Sequence, residues 1–320
     1  MKRNLLTALP LVLALALPAA AQDSYPDRSV RIVHGFGAGG NADTVSRILA
    51  EAMTEGLGQP VVVESRPGAG GTVASGYVAN ADADGYTLQL MVGGHTVAAG
   101  LYNSLPYDSL NDFTFLSIIG QFPFFIAARA GEYESLEAVI AAATADPGSI
   151  RIGHSGVGST QHLTGELLDL MTDADFLHVP YAGGAAAATA VMGGEVDILI
   201  DTGTAIFGQA AAGVFDVLAV TAAERWPDNP DVPTVSETVA PGFNVVSWTG
   251  LGAPDGLPDN VVEVLTAEIA RVMALDDVRG RIAALGASPV GSSSAEFQEL
   301  VETQIKTWTE VIETAGVERR

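Results

Sequence analysis

The chain has 320 residues, no cysteine, 15 Lys and Arg against 38 Asp and Glu, and a formal net charge of −23 at pH 7. The absence of cysteine excludes disulfides, thiolate-held metals and a thiol-linked lipid anchor, so stability must come from the core alone. The acidic excess repels nucleic acid and anionic lipid headgroups and reads first as a solubility device.

The N-terminus reads as an export signal. Lys2 and Arg3 precede an apolar run over 5–17, and Ala19, Ala20 and Ala21 supply small residues before Gln22. The run is shorter than the ~20 residues that span a bilayer, so cleavage after Ala21 and release into the periplasm are expected. No second long apolar run follows, and no lipid anchor is expected.

Strands then alternate with helices, the pattern of an α/β fold. A strand is predicted over 30–34 and a helix over 43–53, with Val45, Ile48, Leu49, Ala52 and Met53 on one face. A strand over 61–64, a helix over 71–79 and a strand over 86–92 follow. The unit recurs as strand 150–153, helix 160–171, strand 176–179, helix 184–192 and strand 196–200. Two copies indicate two similar domains rather than a solenoid. Two helices close the chain, one over 261–273 capped by Asp259, one over 296–313 with an apolar stripe. They are expected to return to the first domain. Domain 1 would hold residues 22–123 and 242–320, and domain 2 residues 124–241, with hinges at 122–126 and near Pro241.

Two glycine-rich loops join a strand to a helix, one over 34–43 and one over 153–160. The first N–H groups of a helix lack internal partners, and its dipole favours negative charge there, so each loop is a candidate anion cradle. The plainer reading is a pair of tight turns capped by Asp43 and Thr160. Gly35, Gly37 and Gly40 also match a dinucleotide fingerprint, with Glu64 near the ribose-binding position. Export argues against a nicotinamide cofactor. Gly153-His154-Ser155-Gly156-Val157 lacks the closing glycine of a nucleophile elbow. The histidines His34, His95, His154, His162 and His178 form no HExxH pattern, and no carboxylate pair frames a catalytic centre. No enzyme, cofactor or metal is therefore expected.

The ordered motifs 36–43 with Arg47, 66–72, 84–88, 155–159 with His162 and Leu163, 178–184, 231–237 and 248–254 together resemble the Bug/TctC family, periplasmic receptors of tripartite tricarboxylate transporters. The resemblance runs from Tyr25 nearly to the end. It implies a two-domain, type II periplasmic binding-protein fold that closes on a ligand in the cleft. It also implies a small carboxylate ligand and delivery to membrane permease subunits; a monomer is expected, and the acidic charge argues against a nucleic-acid partner. The ligand carboxylate is implied to sit between two opposed loops. These map onto Phe36, Ala38, Gly39, Gly40, Asn41, Ala42 and Asp43, and onto Ser155, Gly156, Gly158, Ser159 and Thr160. Gly93, His95 and Thr96 after the third strand, with Tyr181 and Asp201, complete the expected lining. Many relatives carry proline where Gly35 stands and a hydroxyl residue where Ala42 stands, so one hydrogen bond is lost here.

Overall fold

The computed structural model describes residues 25–227, 229–314 and 316–320. The expected export signal lies outside the described residues. Two sheets organise the chain. The first has six strands in the order β11-β4-β10-β3-β1-β2, the second five in the order β7-β6-β8-β5-β9.

In the first sheet β1 (Val30–His34) lies between β2 (Val61–Ser65) and β3 (Thr87–Val92), parallel to both. Its Val30, Ile32 and Val33 are fully buried, as a strand covered on both faces requires. The connection β1-α1-β2 places α1 (Asn41–Leu57) on one face, with Val45, Ile48, Leu49 and Met53 buried. The short α2 (Thr72–Ala79) leads to β3, and α3 (Gly94–Leu101) follows it. Two long strands, β4 (Phe113–Pro123) and β10 (Val246–Pro254), pair antiparallel and complete the sheet with the two-residue β11 (Ser288–Pro289). The closing helices α9 (Asp259–Met273), α10 (Asp276–Ala283) and α11 (Ser294–Thr314) pack on this body, α9 against α1 and α11 against α3 and β4.

The second sheet repeats the parallel core with β6 (Arg151–His154), β7 (Leu177–Pro180) and β8 (Ile198–Asp201). Its β5 (Phe125–Arg129) runs antiparallel to β8 and β9 (Phe215–Val220). Helices α4 (Leu136–Ala145), α5 (Thr160–Thr172), α6 (Gly184–Gly193), α7 (Gly203–Ala211) and α8 (Val235–Thr238) complete this half.

The chain crosses between the halves twice, at Phe124 and between β9 and β10. Thr221 ties the crossings together. Its hydroxyl donates to the Val245 carbonyl at 2.7 Å and accepts from the Phe124 N–H at 2.8 Å. Its backbone N–H donates to the Phe124 carbonyl at 2.9 Å.

Three helix starts differ from the sequence expectation. α1 begins at Asn41 with Gly40 as its cap, because Asp43 turns back to the Gly39 N–H instead of capping. Ser159, not Thr160, caps α5 by accepting from the His162 N–H. α9 begins at Asp259 itself, after Pro258.

Candidate functional site

The ends of β1, β3, β6 and β8 that lead into helices face one another across the seam between the halves. A cavity lies there, about 390 Å³ counted with its opening to solvent. Gly40, Asn41 and Ala42 at the start of α1 form one wall. Thr160 and Gln161 at the start of α5, Gly184 at the start of α6 and Thr202, the cap of α7, form the opposite wall. Four helix N-termini thus converge, and α1, α6 and α7 have no side-chain cap bond. Phe36, Val92, Phe122 and Phe124 supply an apolar lining, with the Phe122 and Phe124 rings edge to face at 5.9 Å. Among the described residues no Lys, Arg or His lines the cavity.

Among the described residues, the one ionisable side chain on the wall is Asp201, at the end of β8 and 2 % exposed. Ser155 Oγ donates to its Oδ2 at 2.5 Å. The Thr202 N–H and hydroxyl donate to Oδ1 at 2.8 and 3.2 Å. Gln161 Nε2 approaches Oδ2 at 3.4 Å. Burial pushes the Asp201 carboxyl above the usual carboxylate range, against these donors. Gly184 packs directly on it: a β-carbon there would lie 2.5 Å from Oδ1.

Of the residues expected in the site, the structure brings Phe36, Gly40, Asn41, Ala42, Ser155, Thr160 and Asp201 to the cavity. The others sit around it. Ala38 and Gly39 are exposed at the loop tip. Asp43 holds that loop, binding the Gly39 N–H at 2.9 Å, His34 Nε2 at 3.3 Å and Arg47. Burial raises the Asp43 pKa, but Arg47 and the Gly39 N–H outweigh it and hold the carboxyl below its ordinary value. Gly93 lies against Ser247 and Thr160 at the seam, and Thr96 turns its hydroxyl back to the Gly93 carbonyl. His95 faces the core of the first half instead of the cleft. It stacks on Tyr107, meets Phe113 edge to face, and contacts the Ser109 carbonyl at 2.8 Å. Gly156 and Gly158 shape a loop that packs on Gly70, where a β-carbon would come within 2.6 Å of the Gly158 carbonyl carbon. Ser159 is spent on the α5 cap, and Tyr181 is half-buried outside the lining.

Sequence reasoning missed Val92, Phe122, Phe124, Gln161, Gly184, Thr202 and Ser247. Gly184 and Thr202 each follow a recognisable strand and open a helix, which was the available signal. Val92 ends β3 beside the expected Gly93, and the others reach the cavity from the crossing segments or as the second residue of α5.

The halves also touch directly. The Gly37 N–H donates to the Ala182 carbonyl at 2.8 Å, and Thr204 Oγ1 donates to Asn41 Oδ1 at 3.1 Å.

The rival chemistries find little support. Glu64 is engaged by Arg31 at 3.2 Å and Arg66 at 2.6 Å, so its carboxylate is not open to a ribose. His154, His162 and His178 do gather, with ring centroids 4.8 to 5.9 Å apart. Burial is the leading cause that drives the His154 pKa down to about 3, with the neighbouring imidazoles adding to it. Glu166, Asp169 and His178 place ligand atoms within 4.8 Å of one another, but His178 Nε2 already bonds Asp169 at 2.8 Å.

A family model described as "Tripartite tricarboxylate transporter family receptor" matches residues 45–317. The chain belongs to this receptor family. BugT of Bordetella pertussis is 32 % identical over 305 residues, covering 94 % of this chain and 93 % of that protein. Among solved structures, the periplasmic binding protein BugD is 34 % identical with a TM-score of 0.88, covering 92 % of this chain and all of that one. An R. palustris protein with adipate (TM-score 0.87, 34 % identical) covers 91 % of this chain and 98 % of its own. MatC of Rhodopseudomonas palustris with bound malate (TM-score 0.86, 34 % identical) covers 90 % and 100 %. These relatives bear out the two-domain binding-protein fold. Membership makes the chain a solute-binding receptor by kind. Among the described residues no helix is long and apolar enough to cross a membrane.

Proposed function

We propose that this receptor closes its two halves, residues 22–123 with 242–320 and residues 124–241, around a small carboxylate and presents it to membrane permease subunits. The observation that carries the reading is the uncapped start of α1 on a cavity wall free of basic side chains. Its open N–H groups and dipole offer an anion site that needs no cation, which suits so acidic a protein. The adipate and malate held by two relatives are ligands of that chemistry. Several charge-assisted hydrogen bonds of about 1.5–3 kcal/mol each, less the ordering cost, suffice for the about −8 kcal/mol of micromolar binding.

A thermal-shift panel of dicarboxylates, tricarboxylates, amino acids and uncharged solutes tests the reading. Carboxylates should raise the melting temperature. A response to an uncharged solute alone sinks it. The reading places a monomer free in the periplasm; the exported protein should begin at Gln22 by mass and elute at the size of one chain.

A further inference from the structure

We propose that Asp201 makes the receptor selective for carboxylates that carry a hydrogen-bond donor, a hydroxyl or an ammonium, beside the carboxylate. The inference rests on the carboxylate reading above and narrows it.

The second-half wall carries the starts of α5, α6 and α7, so taken alone it is a second anion site. Asp201 already occupies it. Its oxygens accept from the Thr202 N–H at the cap of α7 and from Gln161 in the first turn of α5, and it abuts Gly184 at the start of α6. It is thus a carboxylate of the protein's own set among those helix ends, held by the Thr202 N–H and by the side chains of Ser155, Gln161 and Thr202. A ligand carboxylate brought to the same wall would meet an almost fully buried carboxyl group that already takes up the donors there.

The hydroxyls reinforce this polarity. A hydroxyl has one proton and two lone pairs. Ser155 spends its proton on Asp201 at 2.5 Å, and Thr202 directs its own to Oδ1 at 3.2 Å. Both therefore turn lone pairs toward the cavity. The cleft has a donor wall, the start of α1, opposite an acceptor wall centred on Asp201. The ligand that satisfies both carries its carboxylate toward α1 and a donor toward the Ser155 and Thr202 hydroxyls that Asp201 orients. A plain diacid leaves the acceptors unpaired, and unpaired buried groups are the strongest source of discrimination against a close analogue.

The test is titration calorimetry at neutral pH with two matched sets: succinate, malate and aspartate, then glutarate, 2-hydroxyglutarate and glutamate. Members of a set differ only in hydrogen, hydroxyl or ammonium at one carbon. In the parent, the hydroxy or amino acid of at least one set should bind about tenfold more tightly than its plain diacid. The set member preferred tells whether hydroxyl or ammonium is the donor. Asp201→Asn should bring the set to parity, chiefly by weakening the donor-bearing ligand. Ser155→Ala removes an acceptor while leaving the aspartate, and should reduce the same advantage if Asp201→Asn does not fold. Plain diacids that bind as tightly as their substituted partners overturn the donor preference and leave the carboxylate reading standing. An undiminished advantage in both folded variants overturns the role of Asp201. Binding of none of the six overturns this inference, while the thermal-shift panel decides the carboxylate reading separately.

Discussion

Thr221→Val removes one oxygen from the place where the two crossings meet. Thr221 is fully buried, and its hydroxyl links Phe124 and Val245. Valine nearly matches its shape, so packing is preserved while the Phe124 N–H loses its partner. A buried donor left unmade costs about 1–3 kcal/mol, and the added methyl returns at most about 0.8 kcal/mol. The variant should therefore be less stable by about 1–2 kcal/mol. Urea unfolding reads this as a lower midpoint at unchanged slope, since the surface exposed on unfolding is the same. Small-angle scattering should show a broader distribution of domain separations. Thr221→Ser, which keeps the hydroxyl, should recover most of the loss. A midpoint for the valine variant equal to the parent's would refute the idea that this hydroxyl ties the crossings.

Other sites respond in different ways. Gly184→Ala places a methyl within 2.5 Å of Asp201 Oδ1, and that carboxylate is held by Ser155 and Thr202, so it cannot swing away freely. Overpacking of about 1–3 kcal/mol and a loss of ligand affinity should appear together in unfolding and calorimetry. Ala42→Ser puts a hydroxyl on the α1 wall of the cavity; one added hydrogen bond of about 1 kcal/mol should tighten carboxylate binding several-fold by calorimetry. Burial pushes the His95 pKa from 6.5 down to about 4, the Ser109 carbonyl pulling the other way. The folded state therefore resists protonation: His95 stability is fully present above pH 6.5 and lost as pH falls toward 4, about 3 kcal/mol in all. In His95→Gln, unfolding free energy plotted against pH should be flatter across that window by that amount.

The parallel cores were legible because their elements are local. Period-two strands, 3.6-period helices and glycine turns name β1, β6 and α5 within a residue or two, and α1 at its start, though four residues short of its end. The antiparallel pair β4 and β10 was not, because its strands are buried nearly throughout and Val246 meets Pro123 across more than a third of the chain. An apolar run of that kind carries no period and no hint of its partner. The same distance hid part of the site. Phe122, Phe124 and Ser247 reach the cavity only because the crossings run through it. Asp201 could be placed at a strand end, yet its bond to Ser155 joins residues 46 positions apart. His95 misled for the opposite reason. It follows the third strand as a cleft residue would, but α3 begins at Gly94 and its first turn carries the ring into the aromatic cluster of Tyr107 and Phe113.

The contacts of Gly37 with Ala182 and of Asn41 with Thr204 are made by the protein alone. Part of the free energy of closure therefore belongs to the receptor rather than to its cargo. The shut form competes with ligand entry, so the association rate is set by the fraction of molecules that stand open. Loosening this latch should speed capture and release alike, and the grip of the latch thereby tunes how quickly ligand is exchanged.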